Sequence, residues 1–129
     1  MRNVLLVEDD PLVSLLIREE LQAAGYAVTC AGTAPEALRA IEEPRSFQAL
    51  VTDINLGGPT DGFGVARCFR AVYPDIPVVF ISGAPGLRYR TEAVKPSSFL
   101  AKPFVMEDLT ETLERVATCD GGTAPLDAR

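Results

Sequence analysis

The chain contains no histidine. That removes the usual general base for a serine or cysteine nucleophile, so Ser-His-Asp hydrolysis is excluded, while Ser-Lys chemistry is not. It also removes the commonest zinc ligand. The three cysteines, Cys30, Cys68 and Cys119, are odd in number and widely spaced, so they suggest neither a disulfide framework nor a metal site. Cys30 and Cys68 read as packing residues, and a reducing cytoplasm is the simplest setting. Basic residues are scarce: 12 Lys and Arg stand against 18 Asp and Glu, a net charge of −6. A nucleic-acid surface needs a basic stripe, so none is expected. No apolar run reaches the length of a membrane span, and no signal peptide fits the N-terminus, so no membrane contact is expected either.

What is present is ordinary for one globular domain. The 129 residues are 47% hydrophobic and 23% charged, enough for a core. Five short apolar runs alternate with segments of helical periodicity. The runs are Asn3 to Val7, Ala27 to Cys30, Phe47 to Thr52, Ile76 to Ile81 and Ser98 to Ala101. Between the first two, Asp10 caps a helix with Pro11 in its first turn, and Leu12, Val13, Leu16, Ile17 and Leu21 form the apolar face. Gly25 stops it. Thr33 caps the second helix, which turns Ala37, Leu38 and Ile41 inward, and Pro44 closes it. A glycine-rich loop, Gly57 to Gly62, leads into a third helix ending near Tyr73, with Phe63, Ala66, Phe69 and Val72 toward the core. The segment between residues 83 and 97 is breaker-rich, with room for a short fourth helix around Leu87 to Val94. A last helix runs from about Met106 to Ala117 with Leu109, Leu113 and Val116 facing in. Residues 118–129 read as a disordered tail, leaving one domain over residues 1–117 and no room behind it for an output domain.

Strand–helix alternation with short links predicts a doubly wound α/β fold of flavodoxin-like form: five parallel strands in the order 2-1-3-4-5, helices on both faces. Ligands in such sheets gather at the carboxyl ends of the strands, at the switch point between the first and third. There the chain places Glu8 and Asp9 after the first strand and Asp53 at the end of the third. Ser82 follows the fourth and Lys102 the fifth. Two of the carboxylates about 5 Å apart would repel by roughly 3 kcal/mol at an effective dielectric near 20. A hard divalent cation such as Mg²⁺ offsets that repulsion, with oxygens from Asp9 and Asp53, the backbone carbonyl of Asn55, and Glu8 through water. An ionised Asp53 can then attack a phosphoryl group whose other oxygens are held by Lys102 and the Ser82 hydroxyl.

Val4-Leu5-Leu6-Val7-Glu8-Asp9-Asp10-Pro11, Thr52-Asp53-Ile54-Asn55-Leu56 with Asp61-Gly62, Ile81-Ser82-Gly83 and Leu100-Ala101-Lys102-Pro103-Phe104 resemble the receiver domain of bacterial two-component response regulators. The resemblance covers about residues 3 to 117. It implies a phosphorelay in which a histidine kinase or histidine phosphotransfer protein phosphorylates Asp53, and in which the domain catalyses its own phosphorylation and dephosphorylation. It implies that Ser82 and Phe99 switch, that the Lys102–Pro103 bond is cis, and that the face of helix 4, strand 5 and helix 5 meets a downstream protein. Dimerisation on phosphorylation belongs to the same set of expectations. The loop from Asp53 to Asp61 is one residue longer than in the commonest receivers. Two rival readings are a receiver-like interaction module that signals without phosphate, and a flavin- or nucleotide-binding α/β protein. The second lacks a phosphate-cradling glycine loop after its first strand.

Overall fold

The computed structural model describes residues 2–43, 46–83, 97–102 and 105–120, and the side chains of the last helix through Arg115. Five parallel strands form one sheet in the order β2-β1-β3-β4-β5: β1 (Arg2–Val7), β2 (Tyr26–Ala31), β3 (Ala49–Asp53), β4 (Val78–Ser82) and β5 (Ser97–Ala101). The helices are α1 (Pro11–Ala23), α2 (Ala34–Glu42), α3 (Gly62–Val72) and α4 (Met106–Asp120). The expected architecture and strand order therefore stand. The short helix expected around Leu87 to Val94, Pro44, and Pro103 with its peptide bond lie outside the described residues. So do residues 121–129, whereas residues 118–120, read as tail, are the last turn of α4. Among the described residues no helix is long and apolar enough to cross a membrane.

Strand side chains alternate between two cores, as the pleat requires. Leu5, Val7, Leu50, Val78 and Phe80 pack with Ala37, Ile41, Phe63, Ala66 and Phe69 of α2 and α3. Val4, Leu6, Ala49, Val51, Val79 and Ile81 pack with Ile17, Leu21, Leu109 and Leu113 of α1 and α4. Burial on both faces is why the central strands read as unbroken apolar runs.

Helix starts follow local chemistry. The Asp10 carboxylate accepts the N–H groups of Leu12 and Val13, Thr33 accepts that of Glu36, and Asp61 accepts that of Gly64. Gly25, at φ +98°, ends the first helical segment in a conformation that suits glycine. Two apolar faces are narrower than their periodicity suggests. On α1 only Ile17 and Leu21 are buried, while Leu12 and Leu16 are 64% and 46% exposed. On α3 Val72 is 53% exposed, while Phe69, three residues before it, is fully buried. Cys30 and Cys68 are exposed thiols, not the packing residues their type suggested.

Candidate functional site

The register brings the site residues together. Val7 pairs with Thr52, so Glu8 and Asp53, one residue further on, emerge side by side. Asp53 pairs with Ile81 and Ser82 with Ala101, which sets Ser82 and then Lys102 on the neighbouring strand ends. The ladder continues past β5: the Lys102 backbone N–H donates to the Ser82 carbonyl at 2.8 Å.

Asp53 is 6% exposed and Glu8 2%, yet both carry polar partners. The Lys102 ammonium donates to Glu8 Oε1 at 2.9 Å and to Asp53 Oδ2 at 3.0 Å. Asp53 Oδ1 accepts the Asn55 backbone N–H at 3.1 Å, and Glu8 Oε2 accepts that of Asp10 at the same distance. Burial pushes the Glu8 carboxyl above its usual pKa, with the Asp53 charge adding to the rise. Hydrogen bonds from Lys102 and the Asp10 N–H act against it without cancelling it. For Lys102, desolvation would lower the pKa, but the two carboxylates outweigh it and hold the ammonium above its usual value. The lysine is therefore charged at neutral pH.

Oxygens of Glu8, Asp9 and Asp53 lie within 4.8 Å of one another. With all three ionised they carry three negative charges against the one positive charge of Lys102. All are hard oxygen donors, the set that suits Mg²⁺ rather than a softer metal. Asp9 is exposed, so the cluster is open to solvent on its side. These residues fit a hard divalent cation.

The loop over the site is held by glycine. The Gly62 N–H donates to the Ile54 carbonyl at 2.7 Å. A Cβ at Gly62 would lie 2.1 Å from the Asp53 carbonyl oxygen, so α3 starts in contact with the backbone of Asp53 itself. Asp61-Gly62 stands among the family-like motifs, but this close approach could not be read from spacing. Gly57, at φ +75°, brings the loop beside Asp9.

Phe99 is half-buried and packs on the α2–α3 core beside Phe80, its partner in the ladder. A groove of about 390 Å³ adjoins the acidic pair, lined among others by Ser14, Leu15 and Arg18 of α1 and by Cys30 and Gly32. The sequence reading gave Ser14, Leu15 and Arg18 no role, and so missed this rim.

Comparison with known proteins gives one family. The chain is 32% identical over 118 residues to the response regulator receiver protein CpdR of Brucella abortus, covering 90% of this chain and 97% of that one. It is also 32% identical over 124 residues to the transcriptional regulatory protein PrrA of Mycobacterium tuberculosis, covering 95% of this chain but only 52% of the relative. The crystal structure of a response regulator receiver protein from Sinorhizobium medicae superposes with a TM-score of 0.89 at 29% identity, over 92% of this chain and 96% of that one. The family described as the response regulator receiver domain matches residues 4–114, and to that family this chain belongs.

Proposed function

We propose that Asp53 accepts a phosphoryl group from a phosphohistidine on a histidine kinase or phosphotransfer protein, with Mg²⁺ as cofactor, and that the change is read by a partner protein. The observation that carries this is the buried Asp53 carboxylate, held by Lys102 and set against Glu8 and Asp9 at the strand ends. In the transfer, a bond forms from an Asp53 carboxylate oxygen to phosphorus as the phosphorus–nitrogen bond of the donor breaks. The electron pair of that bond goes to the departing imidazole. No base on this chain is needed, because a carboxylate attacks as the anion. Lys102 holds one phosphoryl oxygen by charge and the Ser82 hydroxyl takes another. Asp9, Asp53 and the Asn55 carbonyl would hold Mg²⁺, with Glu8 reaching it through water. Bound there, the cation neutralises charge on the transferring group. The membership of the family supports the use of a histidine donor.

The exposed apolar residues suit a docked donor. Leu12, Leu15 and Leu16 line the start of α1, which follows directly on Asp9 and Asp10. Val105, 58% exposed, stands three residues after Lys102. A donor helix laid across these residues would present its phosphohistidine at the mouth of the acidic cluster. After transfer, Ser82 moves toward the phosphoryl group and Phe99 turns inward. The face around β5 and α4 then meets the downstream partner. The kinase and this domain meet in the cytoplasm.

The test is intact-mass measurement after incubation with Mg²⁺ and acetyl phosphate. The wild type should gain one phosphoryl group of about 80 Da and Asp53→Asn none. Labelled phosphate retained by Asp53→Asn after transfer from a purified histidine kinase would sink the assignment.

A further inference from the structure

The groove between α1 and the end of β2 holds about 390 Å³ and opens beside the acid pair. Glu8 and Asp9 line it together with Ser14, Leu15 and Arg18 of α1 and Cys30 of β2. Arg18 is set apart from the other described arginines. Arg2 pairs with Glu114, Arg70 donates to two carbonyls, Arg115 donates to Thr112 Oγ1, and Arg39 and Arg67 are exposed. Arg18 is half-buried, and among the described residues neither a side-chain hydrogen bond nor an ion pair engages its guanidinium. Side chains in a helix lean toward its N-terminus, which carries the Arg18 head back along the groove, past Ser14 and toward the acid pair.

Resting on the phosphoacceptor reading, we propose that this groove is the acyl subsite for a small acyl phosphate donor, and that Arg18 binds the carboxylate such a donor releases. When Asp53 attacks an acyl phosphate, a bond forms from its carboxylate oxygen to phosphorus. The phosphorus–oxygen bond to the acyl group breaks, and its electron pair leaves on the acyl oxygen. A carboxylate thus departs with a full negative charge close to three acids. Lys102 is already held between Glu8 and Asp53, so a second cation is what the leaving group lacks. The guanidinium fork matches a carboxylate, Ser14 supplies a hydroxyl, and Leu15 covers a short alkyl chain. A phosphorus–nitrogen donor makes no such demand, because its nitrogen, protonated beforehand, departs uncharged.

Two phosphodonors that differ in their leaving groups separate these roles. Arg18→Ala should slow labelling by acetyl phosphate about tenfold, the scale of one charge-assisted hydrogen bond, and labelling by phosphoramidate by less than about twofold. Arg18→Lys should restore part of the loss. Arg67→Ala takes the same charge from the exposed side of α3, where solvent screens it, and should leave both rates within about twofold. Equal slowing of the two donors by Arg18→Ala, or none, would overturn the proposal. So would an Arg67→Ala that matched Arg18→Ala.

Alkylation reads the groove without phosphate. Cys30 lines it, and Cys68, exposed on α3, is the reference. Iodoacetate and iodoacetamide differ in charge. Carboxylate capture at Arg18 should raise the ratio of their rates at Cys30 above the ratio at Cys68, despite the neighbouring acids. Peptide mass mapping gives each ratio, and Arg18→Ala should remove the excess at Cys30. A wild-type ratio at Cys30 no higher than at Cys68, or one unchanged by Arg18→Ala, overturns the carboxylate site. A wild type that takes phosphate from neither donor sinks the phosphoacceptor reading, and alkylation then decides the carboxylate site by itself.

Discussion

Gly62→Ala should be the most informative small change in the chain. The added methyl would sit 2.1 Å from the Asp53 carbonyl oxygen, 2.8 Å from Ile54 Cα and 2.9 Å from the Asp53 carbonyl carbon. All three are backbone atoms of β3 and its exit, so no side chain can rotate away. Relief needs a shift of about 1 Å between α3 and β3, against a core in which Phe63 and Phe69 are fully buried. Overpacking of this kind costs about 1–3 kcal/mol. The 2.7 Å bond from Gly62 N–H to the Ile54 carbonyl is strained or lost with it, adding about 1 kcal/mol. A total of about 2–4 kcal/mol should lower the urea midpoint by roughly 1–2 M. The control is internal. A methyl added at Gly58 would have no atom within 4 Å, and φ there is not positive, so Gly58→Ala should be neutral or stabilise by about 0.4–1 kcal/mol. Gly57→Ala, at φ +75°, should lie between, at about 1–2 kcal/mol. Urea unfolding gives the order, and acetyl-phosphate labelling asks whether Asp53 moved. Stability of Gly62→Ala within about 0.5 kcal/mol of wild type would refute the contact argument. So would a Gly58→Ala as damaging as Gly62→Ala.

Two smaller predictions concern the helices. Asp61→Ala removes the acceptor of the Gly64 N–H at the start of α3 and should cost about 1 kcal/mol in urea unfolding. At the opposite edge of the sheet, the buried Tyr26 hydroxyl donates to Glu114, whose carboxylate also pairs with Arg2 at 2.8 Å. Burial and that hydrogen bond push the Tyr26 pKa from 10.0 up to about 12, against the opposing charge of Arg2. Between those values the folded chain holds a proton that the unfolded chain has released, so stability should fall as pH rises from about 10 to about 12. Tyr26→Phe should flatten that slope in urea midpoints taken across the range; an unchanged slope would show that Tyr26 does not cause it.

The strands and their order were legible because burial on both faces leaves an unmistakable apolar run, and chirality then restricts the topology. The site was legible because a parallel sheet puts its chemistry at one end of its strands, so Glu8, Asp9, Asp53, Ser82 and Lys102 could be gathered without coordinates. Long-range side-chain pairing was not legible. Nothing in the sequence announces that Arg2, Tyr26 and Glu114 meet, or that Arg70 donates to the carbonyls of both Tyr73 and Ile76 to close the turn after α3. Leu12, Leu16 and Val72 misled for a related reason. Periodicity says which residues share a helix face, but the width of the groove beneath decides how many are covered. Glu8 could be placed at the site from its strand end, yet its engagement by Asp10 and Lys102 together depends on the angle at which α1 leaves β1.

The same sheet geometry constrains how a change at Asp53 could travel. β3 and β4 are buried along their whole length, and close packing there leaves little room for movement. β5 is the edge strand on that side of the sheet, half-buried from Ser97 to Leu100 and exposed at Ala101. Lys102, whose ammonium bonds Asp53 directly, is the residue that follows it. Phe99 lies three residues before Lys102 and α4 begins four residues after it. At Glu114, α4 is pinned to β1 and β2 through Arg2 and Tyr26. A pull on the lysine by a new phosphoryl group would therefore displace the yielding edge, at Phe99 and the first turn of α4, before it moved the central strands or the pinned part of the helix. That order of yielding supports the proposed output surface at β5 and the start of α4, the face that the likeness to receivers also implies.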